Sequence, residues 1–230
     1  MERRGFIKFC AASVAALRAS EVGADARVHL YAKAQLVDEK GAPVRAAAIP
    51  ANRNFIFHYP YAATPCFLLN LGKPVKPARL KTQAGEAYEW KGGVGAQRSL
   101  VAYSAICAHR LSYPTKDISF ISYRTEKSAR NKLGNVIHCC SEHSQYDPAE
   151  GARVVAGPAP QPLAAILLEW DAGKDEIHAV GTLGGEMFNE FFAKFEFRLA
   201  LEHNGAARAA VAGTSRVESL ENYCKQQVKC

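Results

Sequence analysis

The sequence predicts a mainly β domain, an antiparallel sandwich or barrel, with a helical segment appended at its C-terminal end. Three observations carry that expectation. Short β-favouring runs recur up to about residue 180 and are punctuated by Gly, Pro, Asn and Asp. No strand, helix, strand alternation appears, which disfavours a parallel nucleotide-binding sheet. Beyond residue 187 the apolar spacing changes from alternating to helical.

The elements follow in order. Residues 28–37 alternate and run into the turn Asp38-Glu39-Lys40-Gly41. Residues 54–59 are aromatic and β-branched, with Pro60 and Pro65 behind them, and Cys66-Phe67-Leu68-Leu69 is an apolar run ended by Asn70 and Gly72. Gly92-Gly93-Val94-Gly95 breaks the chain before a strand over 99–106. Two more strands, 165–170 and 176–180, flank a turn at 171–174. In the tail, Phe188, Phe191, Phe192, Phe195 and Leu199 share one helical face, the pattern of a stripe packed on a core. Asn204-Gly205 breaks that helix, and residues 215–228 are expected to form a second one.

The chain has 230 residues, 48% hydrophobic and 22% charged, which is globular chemistry long enough to bury a core without a dense disulfide scaffold. Lys and Arg outnumber Asp and Glu by 29 to 22, a formal charge of +7. The basic residues are scattered, so nucleic acid is not an expected partner. No apolar stretch reaches the roughly 18 residues of a membrane-spanning helix. Arg3-Arg4-x-Phe6-Ile7-Lys8, a short apolar segment ending at Arg18, and Ala24-Asp25-Ala26 together resemble a twin-arginine export signal with its cleavage site. That signal implies a periplasmic protein, peripheral to the membrane at most, and a cofactor loaded before export.

Seven cysteines demand an explanation. Cys107-Ala108-His109 and Cys140-Ser141-Glu142-His143 form a C-x-H and a C-x-x-H pair. Two thiolates and two imidazoles suit zinc or an unsymmetrical [2Fe–2S] cluster, although C-x-H is short for a zinc finger. The second pair is followed by Ser144-Gln145-Tyr146-Asp147-Pro148, then Gly157-Pro158-Ala159-Pro160. In this the chain resembles the Rieske family, whose two cluster-binding loops are closed by a Pro-containing loop. The resemblance implies one [2Fe–2S] cluster per chain. Cys107 and Cys140 would hold the buried iron and His109 and His143 the iron nearer solvent. Ser144, Tyr146 and Pro158 would form the surrounding shell, Ser144 and Tyr146 one residue closer to His143 than is usual.

Two features depart from the family. Its loop-to-loop disulfide would fall at Ser112 and Glu142, so that clamp is missing, and the stretch between His109 and Cys140 is long. The extra segment, 114–137, holds Lys116, Arg124, Lys127, Arg130 and Lys132 and reads as a solvated hairpin. Of the other cysteines, Cys10 lies in the signal, Cys139 merely adjoins a ligand, Cys66 is a buried thiol, and Cys224 and Cys230 are candidates to pair.

Within the family, Tyr59-Pro60-Tyr61-Ala62-Ala63-Thr64-Pro65-Cys66, the Gly92-Gly93-Val94-Gly95 stretch and Leu100-Val101-Ala102-Tyr103-Ser104 resemble the small subunit of arsenite oxidase. The organisation this implies is a signal over 1–26, a Rieske domain over 27–185 with its cluster-binding part at about 100–162, and a helical extension over 186–230. The function implied is electron transfer, with no substrate site of its own. A catalytic oxidoreductase subunit of the molybdopterin type would supply electrons, and a c-type cytochrome or similar carrier would accept them. The alternatives are the Rieske subunit of a quinol–cytochrome c reductase and a stand-alone periplasmic carrier.

Overall fold

The computed structural model describes residues 28–128 and 132–230. The segment 1–26 read as an export signal, with Cys10 in it, and Arg130 lie outside the described residues. In chain order the strands are β1 (Val28–Val37), β2 (Phe55–His58), β3 (Pro65–Asn70), β4 (Ala78–Lys81), β5 (Ala87–Trp90), β6 (Leu100–Ser104), β7 (Ile118–Ser119) and β8 (Ile121–Arg124). Then come β9 (Val136–Cys139), β10 (Ser144–Asp147), β11 (Arg153–Ala156), β12 (Ala165–Asp171), β13 (Glu176–Leu183), helix α1 (Phe188–Glu202), β14 (Gly213–Arg216), β15 (Glu218–Ser219), the single turn α2 (Leu220–Tyr223) and β16 (Gln226–Gln227).

Eight strands form the main sheet, in the order β14-β1-β13-β12-β6-β3-β2-β15. Its two edge strands are consecutive in the chain, separated only by Val217. A sheet whose opposite edges lie one residue apart must curl back on itself, so it is a nearly closed barrel. Ser215 fastens the seam, its hydroxyl donating to the His58 carbonyl at 2.8 Å. The central strands are buried on both faces, and this is why β3 reads as an unbroken apolar run. Cys66 and Leu68 point into the barrel with Phe57, Leu36 and Ile177. Phe67 and Leu69 point to a second core shared with Tyr103, Ile121, Ile137 and Tyr146.

That second core carries a smaller four-stranded sheet, β11-β10-β9-β8. Tyr103 ties the two sheets together, its hydroxyl donating to the Pro148 carbonyl at 2.7 Å. Helix α1 packs as its stripe requires: Phe188, Phe191, Phe192 and Leu199 are buried against Ile106, Leu111 and Tyr113. It kinks at Phe195, where φ is −113° and ψ 17°.

The second helix expected over 215–228 gives way to strands. Residues Gly213–Arg216 pair in parallel with β1 across Ala34 to Val37, and only the one-turn α2 remains, capped by the Ser219 side chain. Barrel closure outweighs helical propensity here, as tertiary pairing commonly does. The extra segment 114–137 is also no free hairpin. It supplies β7, which pairs with β16 from the tail, and β8, which edges the small sheet.

Burial is the first cause that holds the His58 imidazole down, to about 4, with the positive charges of His203 and Lys116 adding to it. The unfolded chain takes up this proton near pH 6.5 and the folded chain only near 4, so stability should fall as pH drops through that window. The loss is about 2 kcal/mol once the ring's partial exposure is allowed for. Urea unfolding of His58→Gln between pH 7 and 4 should show a visibly shallower decline; an unchanged slope would contradict the assignment.

Candidate metal centre

Two loops meet at the end of the small sheet. The first leaves β6 and is closed on itself by Cys107 N–H donating to the Ser112 carbonyl at 2.8 Å and Leu111 N–H donating back to Cys107 at 2.9 Å. The second is the connection of the β9–β10 hairpin. Cys139 stands directly opposite Ser144 in register, so residues 140–143 are the loop. His143 turns the chain there with a φ of +60°.

Cys107 and Cys139 are both fully buried and share a side-chain hydrogen bond. Their surroundings match residue for residue. The Cys107 sulfur faces the backbone N–H groups of His109 and Arg110, and the Cys139 sulfur those of Ser141 and Glu142, the second and third residues on in each case. The Cys107 thiol is lowered to about 5, foremost by the hydrogen bond from Cys139 and then by the Tyr146 hydroxyl and the two N–H groups. The Cys139 thiol moves the other way, because it holds the proton the pair shares and is desolvated. Tyr146, its phenol pushed up chiefly by burial, lies 3.3 Å from the Cys107 sulfur. Its oxygen accepts the Ala108 N–H at 3.1 Å, which leaves its own proton for the sulfur.

The structure therefore separates the sequence-selected residues. Cys107, His109, His143, Ser144 and Tyr146 lie on the two loops or at their base, as expected. Cys140 does not stand beside Cys107. Its sulfur is bonded to Cys230, with the Cα atoms 5.7 Å apart, and its place opposite Cys107 is taken by Cys139. The spacing argument chose C-x-x-H, but Cys139 ends a strand facing the core, and alternation along that strand turns Cys140 to the other side. The expected Cys224–Cys230 pairing is corrected with it: Cys224 is a buried free thiol directed at the Gln226 carbonyl, 3.0 Å away. Cys66 is a buried free thiol, as its apolar strand suggested. His138, Cys140 and Cys230 place their ligand atoms within 4.8 Å of one another, but two of the three are spent on the disulfide.

The Pro-containing loop closes the site through Gly157. At a φ of +85° this residue lies so close to the second loop that a Cβ would come within 2.4 Å of the His143 carbonyl and 2.6 Å of the Ser144 Cα. Pro158 follows it. At the tip, Arg110 and Glu142 form a 4.0 Å ion pair from one loop to the other, exposed on both sides and worth little energetically. Glu142 is one of the two positions at which the sequence resemblance placed a disulfide.

No family model matches the sequence. The chain is 28% identical over 184 residues to the iodate reductase subunit IdrB of Pseudomonas sp. (strain SCT), covering 80% of each protein. Among solved structures, the soluble domain of the Rieske protein II (soxF) from Sulfolobus acidocaldarius superposes with a TM-score of 0.49 at 25% identity, covering 68% of this chain and 82% of that one. The chain is thus similar to a reductase subunit, and its loop motifs resemble those of Rieske-type proteins. That resemblance makes an iron–sulfur cluster the group to set against this site. The residues present fit such a group. Two buried sulfurs converge, the buried Nδ1 of His109 has no hydrogen-bond partner among the described residues, and neither has the buried Ser144 hydroxyl. Each is an unmet polar group that a metal–sulfide centre would satisfy.

Proposed function

We propose that this chain is the electron-transfer subunit of a multi-subunit oxidoreductase and carries one [2Fe–2S] cluster on Cys107, His109, Cys139 and His143. The observation that carries the ligand set is that the fully buried Cys107 and Cys139 lie in one core beside the unpartnered Nδ1 of His109, while Cys140 is bonded to Cys230. When bound, the cluster supplies one-electron chemistry at a potential raised by imidazole ligation. The chain's own residues bury the sulfurs, fix the two loops and leave the histidine loops at the surface end, where a partner can approach. Similarity to a reductase subunit supports a larger catalytic partner, of the molybdopterin type that the arsenite-oxidase-like motifs suggested, and a cytochrome or similar carrier at the other side of the electron path. Whether the catalytic subunit handles iodate, arsenite or another oxyanion is a property of that subunit. Export to the periplasm is part of this reading, and the Cys140–Cys230 bond supports it, since such bonds persist in oxidising compartments.

The test is purification of the tagged chain from its own host. It should elute with a larger molybdenum-containing subunit, and addition of that subunit's substrate should change the visible spectrum of the cluster. Elution as a cluster-bearing chain with no partner would favour a stand-alone carrier instead.

The midpoint potential should lie in the middle of the roughly −150 to +300 mV spanned by such centres. Tyr146→Phe removes a hydrogen bond to the Cys107 sulfur and should lower it by tens of millivolts, on the order seen for sulfur hydrogen bonds. Glu142→Gln should raise it by less, because Arg110 already offsets that charge. A redox titration in which Tyr146→Phe leaves the potential unmoved would refute the hydrogen-bond assignment.

A further inference from the structure

The C-terminal tail is fastened to the ligand loop at one covalent point. Beyond Cys224 no residue is fully buried, and the segment rests on the extra 114–124 stretch by three backbone bonds. Lys225 N–H donates to Lys116, Gln226 N–H to Asp117 and Val228 N–H to Ser119, at 2.9 to 3.1 Å. The exposed Lys225–Asp117 ion pair adds little. What fixes this segment is Cys230, bonded to Cys140, the residue after Cys139. Both sulfur-bearing residues are only partly buried. Arg124 spans the junction, its guanidinium 3.1 Å from the Cys140 sulfur and also donating to the Val228 carbonyl.

We propose that the Cys140–Cys230 bond is a thiol–disulfide exchange site that locks the ligand loop when oxidised and releases it when a dithiol reductant acts on it. The proposal rests on the assignment of Cys139 as a cluster ligand. The geometry sets the direction of exchange. An incoming thiolate attacks the Cys230 sulfur and forms a mixed disulfide, while the bond to Cys140 breaks and its electron pair stays on the Cys140 sulfur, beside the Arg124 cation that stabilises it as a leaving group. The second thiol of the reductant then displaces Cys230. In balance, two electrons and two protons pass from the dithiol to Cys140 and Cys230, and the reductant ends as a disulfide. With the bond gone, the tail keeps its edge-strand hydrogen bonds, the Arg124 contact to the Val228 carbonyl and the exposed Lys225–Asp117 pair, and the β9–β10 loop loses its one covalent brace among the described residues.

Two readouts on the full-length protein test this. First, alkylation of the unfolded, unreduced chain should spare Cys140 and Cys230, and brief native treatment with dithiothreitol should make these two labelable before buried Cys66 and Cys224. Second, loss of the visible cluster absorption to an iron chelator should accelerate about tenfold or more once the wild-type protein is treated with dithiothreitol. Cys230→Ser should lose its cluster at that faster rate whether or not the dithiol is present. Labelling of Cys140 and Cys230 without reductant, or a chelation rate unchanged by reductant and by Cys230→Ser, would overturn the proposal. A protein that purifies with neither iron nor sulfide would instead overturn the ligand assignment, and the labelling would then decide the exchange chemistry alone.

Discussion

Serine in place of Cys139 is expected to abolish cluster binding, taking iron and acid-labile sulfide from about two each per chain to near zero, while Cys140→Ser keeps both. Cys139 is fully buried, shares a hydrogen bond with Cys107 and faces its own matching pair of N–H groups, those of Ser141 and Glu142. Cys140 faces away and is bonded to Cys230. The Cys140→Ser protein should hold its cluster less tenaciously, because the tail is then unfastened, but its iron stoichiometry on rapid isolation should match the wild type. Iron analysis giving the reverse pattern would restore the C-x-x-H register and remove the basis of the ligand assignment.

Alanine at Gly157 is expected to have the next largest effect. The φ of +85° costs an L-residue about 1–2 kcal/mol, and the added Cβ meets backbone atoms of His143 and Ser144, which cannot swing aside as a side chain would. A total loss of about 2–4 kcal/mol, or roughly 10 °C in melting temperature, should accompany displacement of the second loop and loss of most of the cluster. Alanine at Gly41, also at positive φ but with nothing near its Cβ, should cost only the conformational part and leave the cluster in place. Equal effects at the two positions would mean that the approach of the Pro-containing loop does not shape the site.

Most of the barrel was legible because its strands carry their own signals. The alternation of residues 28–37 coincides with β1 and the apolar run at 66–69 lies within β3. The aromatic stripe from Phe188 to Leu199 packs as a helix face does. The region around 215–228 was misread because its strands are only two to four residues long and are set by pairing with β1, β2 and β7, partners far away in the chain. At the site, the C-x-H motif and the Ser144, Tyr146 and Pro158 neighbourhood were visible as a pattern. The choice between adjacent Cys139 and Cys140 was not, because it depends on which face of β9 points to the core. Nor could sequence reveal that Cys230 would reach Cys140 across 90 positions. Arg124 appeared only as one charge among several on the extra segment, and its place between Cys140 and Val228 emerges from the tail's path.

The most direct measurement of the central claim is metal and sulfide analysis of the purified protein together with electron paramagnetic resonance of its reduced form. The account predicts about two irons and two acid-labile sulfides per chain and an average g value below that of an all-cysteine cluster, as mixed histidine and cysteine ligation gives. One zinc ion per chain with no labile sulfide, or iron with an all-cysteine signature, would contradict it.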